Sequence, residues 1–268
     1  MKNKLTALSS DLSFIASPVS NKLTRNFELQ RSVVGLPIAS FYGYKMIGIF
    51  QDQDQVNNYV NQPGKAVGHF IYQDIDGNGV IDDKDRTFLG SPIPTVNYGW
   101  NLKVKYRKFD CWLFVQGVSG NQIFDFTRVY SDFFSSPSAS NKNIRILNAW
   151  SSTNPTNAGP PILTTNSTSN DTRPSNYFIQ DGSYLRLKTL QVGYTFAKNL
   201  FKNNNTASLR LYLQVQNLFT ITGYKGMDPE IGLQDYGNSN RNLDMGVDRG
   251  LYPAFRTYIL GVNLKLQQ

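Results

Sequence analysis

Five long runs of alternating apolar and polar residues constrain the fold of this 268-residue chain more than any other feature. The clearest run has apolar or aromatic residues at Val96, Tyr98, Trp100, Leu102, Val104 and Tyr106. A period of two indicates a β-strand with one apolar face. The other runs cover residues 109–117, 183–196, 208–220 and 255–266. At roughly 10 to 14 residues each, they exceed ordinary soluble strands and match tilted strands that cross a bilayer. In the fourth run, we expect Leu209, Leu211, Leu213 and Val215 to share one face.

Short and long links alternate between these runs. Arg107 and Lys108 join the first two runs, and residues 198–207 join the third and fourth. Residues 119–182 and 221–253 are long links without evident secondary structure. All the long links therefore lie at one end of the strands, as the extracellular loops of outer-membrane barrels do. The sequence predicts an all-β fold of antiparallel transmembrane strands.

The number of strands is too small for a closed barrel. Single-chain barrels have at least about eight strands, and an open sheet would leave unpaired edges in lipid. The residues that follow Met1 also lack the apolar segment of a signal peptide. We therefore expect this chain to be a piece of a longer protein, or to function only with a partner.

Composition disfavours several functional classes. The chain has 27 Lys and Arg against 19 Asp and Glu, a net charge of +8, but the basic residues are scattered. Without a basic cluster, nucleic-acid binding is disfavoured. The single cysteine, Cys111, excludes an internal disulfide. The single histidine, His69, has no nucleophile motif nearby, so we expect no enzymatic activity.

Residues 74–85 have the spacing of a calcium-binding loop. Side-chain oxygens stand at loop positions 1, 3, 5, 9 and 12, Gly79 permits the turn at position 6, and position 7 offers a carbonyl. The six predicted ligands are Asp74, Asp76, Asn78, Val80, Asp82 and Asp85. Because neither flank is helical in pattern, a bound Ca²⁺ would stiffen a loop rather than act as a sensor. The alternative is an acidic surface turn without a metal.

The link from residue 131 to residue 173 is rich in Ser, Thr, Asn and Pro. Its aromatic residues Phe133, Phe134 and Trp150 could stack on sugar rings while amides bind hydroxyls. The alternative is a polar surface loop whose aromatic side chains pack beneath it. Residues 141–150 are predicted to form a short amphipathic helix with Ile144, Leu147 and Trp150 on one side.

Several motifs resemble the SusC/RagA class of TonB-linked outer-membrane receptors. In chain order they are Phe41-Tyr42-Gly43-Tyr44-Lys45, Gly48-Ile49-Phe50-Gln51, the acidic loop, Asp181-Gly182-Ser183-Tyr184-Leu185-Arg186-Leu187, Gln216-Asn217-Leu218-Phe219-Thr220, Asp228-Pro229-Glu230 and Leu260-Gly261-Val262-Asn263-Leu264. The resemblance spans nearly the whole chain but only the C-terminal part of the family's architecture. The chain departs from the family at its end, which is Gln267-Gln268 rather than an aromatic residue.

This resemblance implies that residues 1–268 are the C-terminal portion of a transmembrane β-barrel of about 22 strands with long extracellular loops. It implies a role in TonB-dependent active import of oligosaccharides or other nutrients, including peptides, at the outer membrane of a Gram-negative bacterium. The implied partners are a SusD-like surface lipoprotein, outer-membrane lipids, and TonB, which would act through the N-terminal plug and TonB box that this chain lacks. We expect the chain alone to be unable to transport.

Two other classes remain open at this stage. One is a secreted soluble carbohydrate-binding β-sandwich with a structural calcium site. The other is a calcium-dependent enzyme that uses Asp181, Asp228 or Glu230 as acid and base, although no convergent acid pair is evident and turn roles fit these residues better.

Overall fold

The computed structural model describes residues 7–15, 25–26, 29–134, 141–165, 170–196, 207–232 and 245–266. Most of its regular structure is β. The strands are β1 (Ala7–Ile15), β2 (Arg25–Asn26), β3 (Gln30–Ser32), β4 (Ser40–Tyr44), β5 (Met46–Ile49), β6 (Phe70–Tyr72), β7 (Arg86–Gly90), β8 (Val96–Tyr106), β9 (Phe109–Ser119), β10 (Gln122–Asp125), β11 (Ile179–Asp181), β12 (Tyr184–Thr195), β13 (Ala207–Gln216), β14 (Thr220–Thr222), β15 (Val247–Asp248) and β16 (Thr257–Leu266). Short α-helices are α1 (Gln53–Asn58) and α2 (Thr127–Ser131), and 3₁₀ turns cover Asp83–Asp85, Ile144–Asn148 and Asn176–Phe178.

The long strands form one sheet in the order β1-β8-β9-β12-β13-β16, with β14 paired to β12. All neighbouring pairs are antiparallel, and the register slips once, between Leu187 and Thr189 of β12. The predicted sheet of long antiparallel strands is therefore confirmed.

Register places apolar side chains in continuous rows on one face of this sheet. Three complete rows are Leu102–Leu113–Leu190–Val215–Tyr258, Val104–Cys111–Val192–Leu213–Leu260 and Tyr106–Phe109–Tyr194–Leu211–Val262. Leu209, Leu211, Leu213 and Val215 share this face, as predicted. Leu260 is 80% exposed and Leu213 is 51% exposed, which suits a surface that contacts lipid. A soluble β-sandwich would bury these rows, so their exposure argues against that alternative.

The opposite face is mostly polar. Of the apolar residues Trp112, Phe114 and Val115 in β9, only Val115 lies on the apolar face. Trp112 pairs with Lys103 on the polar face. β1 is an additional strand of the long sheet that the five alternating runs do not include.

The long links are not structureless. Together with residues 29–95, they form three small sheets, β2-β3-β4-β7, β5-β6 and β11-β10-β15, at the end of the long sheet opposite the Arg107–Lys108 turn. We call the described parts of residues 29–95, 120–183 and 223–256 the loop module. Its core consists of Phe41, Tyr44, Ile49, Phe70, Tyr72, Ile81, Phe124, Phe133, Trp150, Phe178 and Val247. The main hydrophobic core therefore lies in the connections, not in the long strands.

No helix within the described ranges is both long enough and apolar enough to cross a membrane.

Candidate functional site

The acidic loop between β6 and β7 brings three of its six predicted ligands together. Carboxylate oxygens of Asp74, Asp76 and Asp85 lie within 4.8 Å of one another. Asp85 is completely buried, whereas Asp76 is exposed. Oxygen-only donors with several negative charges suit a hard cation such as Ca²⁺, so the chemistry of these three residues fits the predicted metal.

Backbone amides hold these carboxylates in place. The two oxygens of Asp85 accept hydrogen bonds from the amides of Ile75 and Asp82, at 2.7 and 2.8 Å. Asp74 accepts from the amides of Gly77 and Gly79, at 2.8 and 2.9 Å. The hydrogen bond from Gly79 is the largest cause that lowers the pKa of Asp74 below its ordinary value. The Asp74 carboxylate is therefore favoured in the charged form that a cation would require.

Asp82 is not part of this carboxylate group, whereas the Asn78 side-chain amide donates to the Asp76 carboxylate at 3.0 Å. The Asp82 carboxylate accepts from the amide of Lys84 at 2.7 Å and caps the 3₁₀ turn that follows. The Asn78 carbonyl oxygen accepts from the amide of Val80 at 2.8 Å. The Asn61 amide donates to the Gly79 carbonyl, and the Ile81 amide donates to the Asn61 carbonyl, both at 2.9 Å. These two bonds fasten this part of the loop to the chain after α1.

The aromatic side chains of the 131–173 link divide between the core and the surface. Trp150 and Phe133 are 6% and 5% exposed, and the Trp150 indole nitrogen donates to Gln51 at 3.0 Å. These two rings therefore cannot stack on a sugar without opening the core, whereas Phe134 is 41% exposed. The interpretation that aromatics pack beneath a polar loop is the better one for Trp150 and Phe133.

The predicted amphipathic helix over residues 141–150 is wrong. Ile144–Asn148 is a single 3₁₀ turn, and Ile144 and Leu147 are 80% and 77% exposed while Trp150 is buried. The turn ends before Trp150. The Trp150 amide donates to the Pro160 carbonyl, so Trp150 is held by a later segment of the loop module rather than by the turn. Ile144 and Leu147 are left as an exposed apolar pair on the loop module.

His69 has a structural environment. Its Nδ1 lies 2.6 Å from a carboxylate oxygen of Asp171, and both side chains are buried. The other oxygen of Asp171 accepts the amide of Phe70 at 3.0 Å. This pair joins two segments of the loop module.

The acids considered as a glycosidase pair are bound to basic residues instead. Arg186 of β12, 3% exposed, donates to Asp228 at 2.5 Å, to Glu230 at 2.6 Å and to Thr220 at 2.8 Å. Lys188 donates to both oxygens of Glu230 at 2.7 Å. Asp181 accepts from the amide and hydroxyl of Ser183. All three acids fix the chain where strands meet the loop module.

Burial and hydrogen bonding shift the pKa of Asp228 in opposite directions. Desolvation is the largest influence and acts to raise its pKa, but the Arg186 guanidinium and the amides of Ala254 and Glu230 together hold the pKa below the ordinary value. Asp228 is therefore a charged anchor between residues 228–230 and 254.

A cavity of about 380 Å³ opens on the polar face near the Arg107–Lys108 turn. Its polar lining comprises Lys103, Lys105, Asp110, Trp112 and Gln191. No single run of sequence identifies this group, because its residues come from three strands. Lys103 and Lys105 could have been placed opposite Trp112 and Asp110 by counting back from the two-residue turn.

Comparison with known proteins identifies relatives that are much longer than this chain. TonB-dependent receptor P3 of Formosa agariphila is 34% identical over 266 residues, which are 98% of this chain and 26% of the relative. TonB-dependent receptor SusC of Bacteroides thetaiotaomicron is 28% identical over 249 residues, 91% of this chain and 21% of the relative. The chain thus spans about a quarter of the length of the curated relatives it matches.

Solved structures share the fold of this chain over part of their own length. The RagAB peptide transporter superimposes on 98% of this chain with a TM-score of 0.69 and 22% identity, and the match covers 27% of the transporter chain. The RagAB peptide importer in a closed state matches with a TM-score of 0.68. No protein-family model matches the sequence.

Proposed function

We propose that this chain, which belongs to the SusC/RagA class of TonB-dependent outer-membrane receptors and corresponds to their C-terminal part, takes part in energised nutrient import. The observation that carries the proposal is the two-sided character of the long sheet. One face presents three complete apolar rows, and the other presents mainly polar and charged residues. In a barrel, the first face would contact lipid and the second would line the lumen.

The edges of the sheet support the idea that further strands complete this barrel. In the described sheet, β1 pairs only with β8 and β16 only with β13. Unpaired strand edges are costly in lipid because no water can satisfy their backbone groups. Strands from the remainder of the receptor would pair with these two edges, and residues 1–268 alone would not form a channel.

The loop module would lie on the extracellular side, where nutrients are captured. It stands at the end of the sheet away from the two-residue turn, as extracellular loops do in outer-membrane barrels. We infer that a SusD-like surface lipoprotein covers this side. The exposed Ile144 and Leu147 are side chains of the kind that protein partners bury.

The cargo that we propose is an oligosaccharide, with peptides as the other nutrient class. Import would not alter covalent bonds, so the residues that matter are those that contact cargo or hold the loops. TonB would act through a part of the receptor outside residues 1–268, because coupling to an energy source needs groups other than a strand sheet.

Uptake measurements test this function. Cells that carry the intact receptor should accumulate labelled oligosaccharide only when TonB is present and energised. Cells that carry only residues 1–268 should accumulate no more than cells with an empty vector. Energy-independent uptake through the intact receptor would refute active import, and uptake by residues 1–268 alone would refute the incomplete-barrel proposal.

We further propose that the acidic loop binds one structural Ca²⁺. Asp74, Asp76 and Asp85 would supply the first oxygens, and Asn78, Asp82 and the Val80 carbonyl would join after a local rearrangement. An extracellular site needs an affinity of only about 10⁻⁴ to 10⁻³ M. The bound ion would fix the loop between β6 and β7 by offsetting its clustered negative charge.

Calorimetry and proteolysis on the intact receptor test the calcium proposal. The Asp74→Ala/Asp76→Ala double variant should lose the heat of Ca²⁺ binding, and its loop should be cleaved as fast as that of the native receptor in chelator. Asp54→Ala is the matched control, because Asp54 is an exposed acid on α1 outside the loop. Absence of binding heat in the native receptor, with cleavage unchanged by chelator, would leave the metal-free turn.

A further inference from the structure

We propose that Asn78 in the acidic loop is a site of spontaneous deamidation, which the closed loop suppresses and an open loop permits. The modification would convert the Asn78 carboxamide into a carboxylate, or transfer the backbone onto the side chain as isoaspartate. It needs no enzyme, and it goes beyond the import function and the calcium site proposed above.

The sequence provides the reactive pair once. Asn78-Gly79 is the only Asn-Gly dipeptide in the 268 residues. Deamidation begins when the backbone nitrogen that follows an asparagine attacks the Cγ of that asparagine, and a side chain on the following residue hinders the attack. Gly79 has no side chain, and no described heavy atom beyond its chain neighbours lies within 4 Å of the position that a Cβ would occupy. Both residues are exposed, so the ring intermediate has room and water reaches it.

The reaction balances with water and its hydroxide ion as the only co-reactants. Hydroxide removes the proton of the Gly79 amide, and the nitrogen attacks Asn78 Cγ. The new N–Cγ bond closes a succinimide ring, while the Cγ–Nδ2 bond breaks and its nitrogen takes a proton from water to leave as ammonia. A water molecule then opens the ring at either carbonyl, which leaves aspartate or isoaspartate at position 78. No atom is oxidised or reduced.

Three hydrogen bonds hold the reacting groups in the closed loop. The Gly79 amide donates to a carboxylate oxygen of Asp74 at 2.9 Å, and an anionic acceptor makes the loss of this proton harder. The Asn78 carboxamide is held at both ends, because its oxygen accepts from the Val80 amide at 2.8 Å and its nitrogen donates to Asp76 at 3.0 Å. Closure of the succinimide ring reorients both groups, so these bonds must break first. Opening of the loop therefore limits the rate.

The modification would weaken the loop that suppresses it. Conversion to aspartate replaces the Asn78 nitrogen, a donor, by an oxygen that only accepts when ionised. The nitrogen lies 3.0 Å from the Asp76 carboxylate, so two anions would face each other at that place. Isoaspartate would instead add a methylene group to the backbone immediately before Gly79. Either product favours further opening of the metal-free loop.

Mass spectrometry of the purified intact receptor, incubated in detergent at mildly alkaline pH, tests the site. Chelator is present throughout, so the outcome does not depend on whether the loop binds Ca²⁺. The measured quantities are the mass gain of the peptide that contains Asn78 and its labelling by an isoaspartate-specific methyltransferase. The native receptor unfolded in urea provides the rate for a fully open loop.

Two variants open the loop and two serve as controls. Asp74→Ala removes the acceptor of the Gly79 proton. Asp76→Ala frees only one end of the carboxamide, and because Asp76 is exposed this variant should keep the fold if Asp74→Ala does not. Asp54→Ala removes an exposed acid outside the loop. Asn78→Gln keeps a carboxamide but would need a larger, less favourable ring.

We expect Asn78 to deamidate more slowly in the folded native receptor than in the unfolded one. Asp74→Ala should accelerate the folded receptor about tenfold, the size of one hydrogen bond to a carboxylate, and Asp76→Ala should accelerate it less. Asp54→Ala should match the native rate, and Asn78→Gln should show neither mass gain nor label at position 78. Absence of both signals at Asn78 in the unfolded receptor and in the loop variants would overturn the site. Equal rates in the native receptor, both loop variants and the unfolded receptor would overturn its control by loop opening.

Discussion

The Arg186 network gives the sharpest test of how the loop module is attached to the strands. The side chains of Arg186 and Asp228 are 3% and 9% exposed, and that of Glu230 is 33% exposed. Arg186→Met keeps an unbranched apolar stem but leaves Asp228 without its cation. Removing one partner of a buried ion pair costs about 3 to 5 kcal/mol. The more exposed Glu230 keeps Lys188 and adds at most about 1 kcal/mol.

A loss of at least about 3 kcal/mol in the free energy of local opening makes the equilibrium constant for opening roughly a hundredfold larger. Hydrogen–deuterium exchange of residues 224–232 and 251–256 in the intact receptor should accelerate by this factor. Lys188→Met is the matched control and should accelerate exchange about fivefold or less, because it breaks only the partly exposed pair. Adding Asp228→Asn to Arg186→Met should restore part of the protection by removing the unpaired charge. Exchange within about fivefold of the native receptor in Arg186→Met would refute this reasoning.

Acidification should loosen the same attachment. The pKa of Asp228 is lower in the folded protein than in the unfolded chain, so its contribution to stability is complete above the ordinary Asp value of about 3.9. That contribution is lost as pH falls through the lower, folded value. Protection of residues 224–232 should therefore decline only below about pH 4, and less steeply in Asp228→Asn. A decline that is equally steep in both proteins would contradict the assignment.

Two further substitutions probe the module core and the sheet. Trp150→Ala should lower the free energy of unfolding by about 3 to 5 kcal/mol and make residues 141–165 sensitive to protease. Ile144→Ala is the control and should be nearly neutral, because Ile144 is 80% exposed. Equal proteolysis of the two variants would contradict the packing of Trp150. Gly193→Val should displace Arg210 and lower the unfolding temperature of the intact receptor, and adding Asp110→Asn should cause little further loss because their pair is already broken.

Local sequence patterns predicted the long strands well. Alternation over residues 96–106 depends only on neighbours in sequence, and the Arg107–Lys108 turn fixes the register of the following strand. The orientation of Trp112 does not follow from β9 alone, because Trp112, Phe114 and Val115 are all apolar and their own pattern does not identify the apolar face of the sheet. Register with Lys103 decides the orientation, and register is a property of two strands.

The loop module could not be predicted in the same way. Phe41, Phe124 and Val247 lie in three segments far apart in sequence, and nothing in the pattern of each segment indicates that they pack together. The acidic loop was an intermediate case. Its spacing indicated the clustered carboxylates correctly, but capping of the 3₁₀ turn by Asp82 competes with metal coordination and leaves no trace in the spacing.

The parallel pairing of β10 with β15 has a consequence for biogenesis. Phe124 pairs with Val247 about 120 residues later, so the connection after β9 cannot complete its sheet until the segment just before β16 has been delivered. During export, the aromatic residues around Phe124 would remain partly uncovered until Val247 follows. Periplasmic chaperones would have to shield them. A receptor truncated shortly before β15 would leave this aromatic surface permanently exposed to quality-control proteases.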